Sequence, residues 1–408
     1  MLGKVTVTSR NQYQNTINEI ERRFVFIGKT PKTELYGVVT HLNAQTDIEA
    51  LFSSTPAPSS QDAPEQAESA DAVKPKKAKS SVELPPVVPD DNSFLRDVLT
   101  AAQINAGANW TASVVGLDSN GDWKAALDLA NKQSSYEAVV LTDFVTSKSQ
   151  LEEVKSKIAL IESQQARFMF AMTCSQPVAS SEAWADYMTR SASLVDGVKA
   201  ARVMCIPTLF GNDIGILAGR LCIRSVTVAD SPMRVKTGPL LSMGTMSVDK
   251  DGKPFPIENL TVLDANRFSV PQTYPGEDGW YWADGNTLDS ETGDYKVIEN
   301  LRVVLKACRR VYKIAIPTIA DRSLNSSPNS IARNKNLYMK PLLEMSAPVI
   351  INNVRFPGEI EPPKDSAVEI NWMSDIKTEI YITVRPINSQ KDITIGVGLD
   401  LSKNPTGE

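Results

Sequence analysis

Short hydrophobic runs alternate with amphipathic stretches along the central part of the chain. Runs rich in β-branched and aromatic residues predict buried strands at residues 110–116, 137–141, 167–172 and 202–206. Stretches with helical periodicity separate and flank them, at residues 93–106, 123–131, 147–165, 181–195 and 213–220. This alternation predicts an α/β domain over residues 93–230, with a central, mainly parallel sheet flanked by helices.

Two further strand patterns lie nearer the N-terminus. Residues 4–8 alternate between polar and apolar side chains as a strand does, and we interpret residues 1–22 as an N-terminal arm and lead-in. Residues 23–28, with the sequence RFVFIG, predict a more buried strand that begins a core segment over residues 23–52. Residues 53–92 are rich in Pro, Ala, Ser and charge, and predict a flexible linker or surface loop.

The alternation stops near residue 230, and short segments punctuated by Pro, Gly and Asp-Gly follow. Within residues 231–376 we expect a hairpin turn at Asp251-Gly252 between two short strands, and amphipathic helices at residues 295–313 and 330–345. Strand patterns at residues 378–384 and 393–397 predict a C-terminal arm over residues 377–408. The second region is therefore predicted to be α+β, with extended arms at both ends of the chain.

Composition excludes several classes of protein. The 408 residues, 42% hydrophobic and 22% charged, can bury a sizeable core. A net charge of −5 and a pI near 5.3 argue against wholesale nucleic-acid binding. The chain begins without an apolar leader and contains no run of about 18 apolar residues, so we expect cytoplasmic synthesis and no membrane insertion. The cysteines fall mostly in apolar stretches and predict buried thiols, at Cys174, Cys205, Cys222 and Cys308.

Motifs for catalysis or cofactor binding are missing from the sequence. His41 is the single histidine and is interpreted as a polar loop residue rather than a catalytic one. The glycines of residues 211–219 match neither phosphate-binding pattern, and Asp213 is expected to cap a helix there. Residues 118–122 resemble a calcium loop, but the sequence departs from that pattern at Trp123 and Leu129. We expect no metal, no cofactor and no enzymatic activity.

A basic stripe stands out on the predicted helix at residues 301–313. Its cations recur at steps of four, three and four residues, at Arg302, Lys306, Arg309 and Lys313. Apolar residues occupy the opposite face, and no acidic residue within 301–313 neutralises the stripe. A solvated face, a contact with an acidic protein surface and, less favoured, a phosphate or nucleic-acid contact remain open.

Ordered motifs in the second region resemble the C-terminal core of contractile phage tail sheath proteins, with the closest likeness to Mu-like and related myophages. The block LDANRFSVP at residues 263–271 is followed by YPG at 274–276 and GWYWADGNTL at 279–288. The same order continues at residues 294–299, 302–310, 320–322 and 324–327, and upstream residues 24–28 and 234–238 fit the family too. The resemblance covers most of the chain outside residues 53–92, an insertion that departs from the family.

The resemblance implies a homo-oligomeric subunit, stacked in hexameric rings or a helical array around a tail tube protein. It also implies contacts with baseplate and tail terminator proteins, a place in the virion tail, and assembly in the host cytoplasm. The arms would join neighbouring subunits by strand addition, with candidate residues Lys4, Val5, Thr6, Val7, Thr8, Ile380, Tyr381, Ile382, Thr383 and Val384. We hypothesise that the basic stripe contacts an acidic tube before contraction, and contraction itself needs no nucleotide.

Two other classes of protein remain as alternatives. An α/β enzyme would place its pocket beyond the carboxyl ends of the strands predicted at residues 137–141 and 202–206. An adaptor that works as a monomer or small ring would also use interface-forming arms without a catalytic site.

Overall fold

The structure, a computed structural model, describes residues 20–53 and 94–397. The predicted strand at residues 4–8 and nearly all of the predicted linker lie outside the described residues. The strands are β1 Phe24–Lys29, β2 Thr40–Asn43, β3 Thr111–Leu117, β4 Ala138–Val145, β5 Phe170–Ser175, β6 Val203–Ile206, β7 Pro271–Gln272, β8 Tyr281–Trp282, β9 Val349–Ile351, β10 Val354–Phe356, β11 Val368–Ser374 and β12 Lys377–Ile382. The α-helices are α1 Ile48–Phe52, α2 Phe94–Ala106, α3 Trp123–Gln133, α4 Lys148–Gln165, α5 Trp184–Val195, α6 Asp213–Cys222, α7 Asn259–Ala265, α8 Ile298–Ala315 and α9 Pro328–Ser346.

A six-stranded sheet in the order β2-β3-β1-β4-β5-β6 forms the centre of the fold. β1 pairs in parallel with both β3 and β4, and the parallel pairing continues through β5 to β6. β2 pairs antiparallel with β3 and forms one edge of the sheet. The prediction of a central, mainly parallel sheet flanked by helices is confirmed.

Helices cover both faces of this sheet because its strands are apolar on both sides. One hydrophobic core packs α3, α4 and α5 against the sheet face that carries Val25 and Ile27. A second core packs α2, α6 and the first half of α8 against the opposite face, which carries Phe24 and Phe26. At Gly219 of α6 an added Cβ would lie 2.5 Å from the Ala102 carbonyl oxygen, so glycine allows α2 and α6 to approach closely.

The second region has its own hydrophobic core, and α8 belongs to both parts of the molecule. Leu301 and Leu305 of α8 face the sheet core, whereas Val303 and Ala307 pack with α9, β11 and residues near β12 in a third core. The helix α8 therefore lies between the sheet and the C-terminal strands and packs against both. The two helices predicted in this region are present as α8 and α9.

One local prediction in the second region is wrong. Residues 249–252 do form a turn, in which the Gly252 N–H donates to the Asp249 carbonyl at 2.9 Å, but the two flanking strands are absent from the described residues. A single bridge between Val248 and Pro254 replaces them. Residues 393–397 pair with no strand in the described part of the subunit, so their role as an arm strand stays a prediction, and β12 ends at Ile382 rather than at Val384.

Candidate functional site

Arg302 of α8 lies at the amino end of β4. Arg302 forms a bidentate ion pair with Glu137, the residue before β4, with N–O distances of 2.7 and 2.9 Å. Both side chains are buried, with exposures of 3% for Arg302 and 0% for Glu137. Burial alone would raise the pKa of Glu137, but the facing Arg302 guanidinium lowers this pKa to about 2. The backbone N–H of Arg22 also donates to this carboxylate.

Two more cations on the same face of α8 make similar pairs. Arg309 donates from Nε to Glu21 at 3.0 Å and from Nη1 to the carbonyl of Phe168 at 2.6 Å. Lys306 donates to Glu359, in the C-terminal part, at 2.7 Å, and both side chains are mostly buried. Together Arg302, Lys306 and Arg309 form a row of interior ion pairs, which we call the charged seam. It ties α8 to the sheet and to the C-terminal part at once.

Most of the predicted basic stripe is therefore buried inside the subunit. The expectation that its cations face solvent or a partner is wrong for Arg302, Lys306 and Arg309, because carboxylates distant in sequence cover them. Lys313 alone of the four is exposed, and no ion pair joins it within residues 20–53 and 94–397. Tyr312 and Ile316 beside it are also large, exposed side chains, at 42% and 48%.

The β11–β12 hairpin carries the C-terminal strand residues that the sequence singled out. Ile380, Tyr381 and Ile382 lie in β12, which pairs antiparallel with β11 in a two-stranded sheet. Val368 and Ile370 of β11 are buried against the third core, so one face of the hairpin is fixed to the subunit. In the described part of the chain no third strand joins this sheet, so β11 and β12 each present one free edge.

Exposed apolar side chains surround this hairpin and continue beyond it. Met373, Ile376 and Tyr381 are 60%, 97% and 56% exposed. Past β12 the chain carries Ile393 and Val397, 64% and 92% exposed, at alternate positions with Ile395 between them. Sequence reasoning missed β11, although the alternation of Val368, Ile370 and Trp372 with polar residues was a strand signal.

No catalytic arrangement emerges among the described residues. His41 lies in edge strand β2, not in a loop, and its Nδ1 is 2.8 Å from the Ser113 hydroxyl. Asp213 is the first residue of α6 rather than its N-cap, and it is buried, accepting N–H bonds from Leu209 and Phe210. Burial raises the pKa of Asp213 to about 7. Within residues 20–53 and 94–397 no group of three or more His, Cys, Asp or Glu could hold a metal ion.

The crevice at the carboxyl ends of the central strands is where an enzyme of this topology would bind its substrate. A cavity of about 360 Å³ lies there, lined by residues that include Lys29, Thr142, Asp143 and Gln150. Asp143 is the single carboxylate among the lining residues, so the cavity offers no pair of carboxylates.

The cysteines lie mostly in the interior of the subunit. Cys174, Cys205 and Cys222 are buried as expected, and Cys308 is partly exposed. In the described part of the chain, no helix combines the length and apolar character that a membrane span requires.

Comparisons with known proteins identify the family. Two family profiles match the chain: the DUF2586 N-terminal domain at residues 2–286 and the DUF2586 C-terminal domain at residues 294–402. A candidate tail sheath protein of Haemophilus phage HP1 is 37% identical over 409 residues, covering 98% of this chain and 99% of that protein.

Three solved structures share the fold of this chain. A chain of the anti-feeding prophage baseplate has a TM-score of 0.58 at 15% identity, with 94% of each chain covered. A chain of the contracted PVC sheath complex, an extracellular contractile injection system, has a TM-score of 0.58 at 9% identity, covering 98% and 99%. The sheath tail protein of Desulfitobacterium hafniense has a TM-score of 0.52 at 8% identity, covering 95% and 97%. The chain therefore belongs to the DUF2586 family of tail sheath proteins.

Proposed function

We propose that this contractile sheath subunit polymerises around a tail tube and is linked to its neighbours by strand addition. The observation that carries the linkage is the β11–β12 hairpin, which is fixed to the subunit on one face and open at both edges. An open edge offers a row of backbone donors and acceptors to an extended segment of another copy.

The same chain offers segments that suit such an edge. Ile393, Ile395 and Val397 alternate with Thr394 and Gly396 and are exposed in the subunit. The residues Lys4, Val5, Thr6, Val7 and Thr8 carry a similar pattern. Pairing between a segment of one copy and an edge of the next is heterologous, so it generates rings or helical polymers rather than closed dimers.

Contraction is then a rearrangement between subunits, from an extended, metastable array to a compact, more stable one, and it drives the tube through the host envelope. The linked strands keep neighbours connected while the subunits move as rigid bodies. Baseplate and tail terminator proteins bound the polymer at its ends, and assembly takes place in the host cytoplasm before the sheath becomes part of the virion tail. The subunit does not bind nucleic acid directly or insert into a membrane.

Electron microscopy of the purified chain tests the strand linkage. Ile395→Pro removes a backbone donor at a position that is 78% exposed and outside any regular element, so the subunit itself should fold normally. We expect ordered rings or tubes from the wild type and isolated subunits from Ile395→Pro. Ile395→Thr is the matched control, because threonine keeps the N–H and favours strands. Equal assembly of the proline variant would contradict strand linkage, and monomers in every sample would favour the adaptor class.

Tube contact needs a different test from the one that the basic stripe suggested. Reversing Arg302 or Arg309 would place two like charges in the interior and disrupt the subunit, so it would not report on the tube. We propose Lys313, with the neighbouring exposed side chains of Tyr312 and Ile316, as the contact on the exposed face at the C-terminal end of α8. Lys313→Glu should weaken co-assembly with the tube protein at low salt, whereas Lys199→Glu, at an exposed position outside this face, should not. Indistinguishable binding of the two variants would exclude this contact.

A further inference from the structure

The chain after β12 is tied back to its own subunit before it becomes free. The Thr383 N–H donates to the Ala367 carbonyl at 2.9 Å, and the Ile387 N–H donates to the Glu359 carbonyl at 3.3 Å. We call residues 383–391 the strap. Its last part, together with the loop around Met233, lines an open cavity of about 640 Å³, so packing underneath does not hold the strap along its whole length.

Lys391 ends the strap with a partly buried ionic contact. Its ammonium lies 2.6 Å from Glu299 Oε1, in the first turn of α8, and also pairs with Asp284. The Glu299 side chain is 7% exposed and that of Lys391 is 25% exposed. The second carboxylate oxygen of Glu299 has no hydrogen-bond partner among the described residues. Without Lys391, Glu299 would be a buried carboxylate with no cation against it, which is a strongly unfavourable state.

Lys391 is a partly buried point between exposed stretches, because residues 388–390 before it and residues 392–397 after it are exposed. Ile393, Ile395 and Val397 are 64%, 78% and 92% exposed, so exposure rises steadily away from Lys391. The first apolar position of the free segment is thus two residues beyond an ionic anchor. A strand that slips by one residue turns all its side chains to the opposite face, so a fixed starting point has a direct effect on pairing.

We propose that Lys391, seated on Glu299 and Asp284 of its own subunit, anchors the C-terminal arm and sets the register in which residues 392–397 add to a second copy. This inference rests on the proposed polymerisation for its consequence, but not for the anchor itself. Because of the anchor, each arm leaves its subunit at the same residue. Every linking segment in the polymer then has the same length and turns the same side chains towards the neighbouring copy.

Hydrogen–deuterium exchange of the full-length soluble subunit tests the anchor without polymerisation. Glu299→Gln/Lys391→Met removes the buried carboxylate charge and the tether together, so the fold survives while the strap is released. We expect exchange in residues 383–391 to rise about tenfold or more in this variant and to stay unchanged in Lys391→Arg. Lys377→Met is the matched control, because it makes the same substitution at an exposed lysine of the β11–β12 hairpin, outside the strap. Wild-type exchange rates in the double variant would overturn the anchor.

Electron microscopy of the same variants tests the register. The released variant should form tubes only at several-fold higher concentration, or form tubes of irregular repeat, while Lys391→Arg assembles as the wild type does. Released straps together with normal tubes would overturn the role in register. A wild type that forms no tubes would contradict the proposed function and leave the exchange result to decide the anchor.

Discussion

The charged seam makes a quantitative prediction about the Arg302–Glu137 pair. Arg302→Met leaves Glu137 fully buried with its nearest cation removed, and breaking one side of such a pair typically costs about 3–5 kcal/mol. Because a folded domain is stabilised by only about 5–15 kcal/mol, this single change should remove a large share of the stability of the subunit. The measurement is urea unfolding of the soluble subunit, followed by intrinsic tryptophan fluorescence.

A second variant distinguishes two costs of Arg302→Met: the loss of the ion-pair attraction and the burial of an unpaired Glu137 carboxylate. In Glu137→Gln/Arg302→Met the carboxylate charge is absent, and the glutamine oxygen can still accept the N–H of Arg22. We expect the double variant to recover at least half of the free energy of unfolding that Arg302→Met loses. Lys148→Met, which breaks an ion pair with exposures of 49% and 81%, should cost less than about 1 kcal/mol. A loss below about 1 kcal/mol in Arg302→Met, or no recovery in the double variant, would refute the reasoning.

Acid unfolding gives an independent check on the same pair. The pKa of Glu137 is lowered from its usual 4.5 to about 2 by the facing Arg302, against the effect of burial. The pair therefore contributes stability above pH 4.5, and this contribution is lost as the pH falls from 4.5 towards 2. In Glu137→Gln/Arg302→Met this component of the acid-induced loss should disappear.

Three further predictions follow from individual contacts. Burial raises the pKa of Asp213 from 3.8 to about 7. The contribution of Asp213 to the free energy of unfolding is therefore full below pH 3.8 and is lost as the pH rises to about 7. Urea titrations across this pH range should show the decline in the wild type but not in Asp213→Asn. Gly215→Ala would place a Cβ 2.2 Å from the Val98 carbonyl oxygen and should cost about 1–3 kcal/mol in thermal unfolding, whereas Gly396→Ala, in open space, should be neutral. A thiol reagent should modify at most one cysteine of the native chain, the partly exposed Cys308, but all four in urea.

Most strands of the central sheet could be predicted because each is buried on both faces and reads as a short apolar run. β5 and β6 are examples, since every residue of both strands is buried. β2 could not be found in this way. It is short and polar, and it is a strand because the edge of β3 is available for pairing, which is a tertiary fact.

The candidate site shows the same division between local and distant information. Helical spacing correctly placed Arg302, Lys306 and Arg309 on one face of α8. Spacing does not reveal what a face meets. The partners of Arg302 and Arg309 are Glu137 and Glu21, which lie 165 and 288 residues away in sequence, so only the fold brings these charges together.

The placement of α8 bears on how the subunit transmits force. Leu301 faces the sheet core, Val303 faces the C-terminal core, and Lys306 pairs with Glu359 on the C-terminal side. A relative movement of the sheet and the C-terminal part would separate packed apolar surfaces and break buried ion pairs in the same step. Both changes are unfavourable, so the two parts should move together. Under the proposed strand linkage, we therefore expect force that arrives at the β11–β12 hairpin to pass through α8 to the sheet without internal rearrangement. Under the proposed strand linkage, we expect contraction to be accommodated between subunits, at the exposed segment after residue 391.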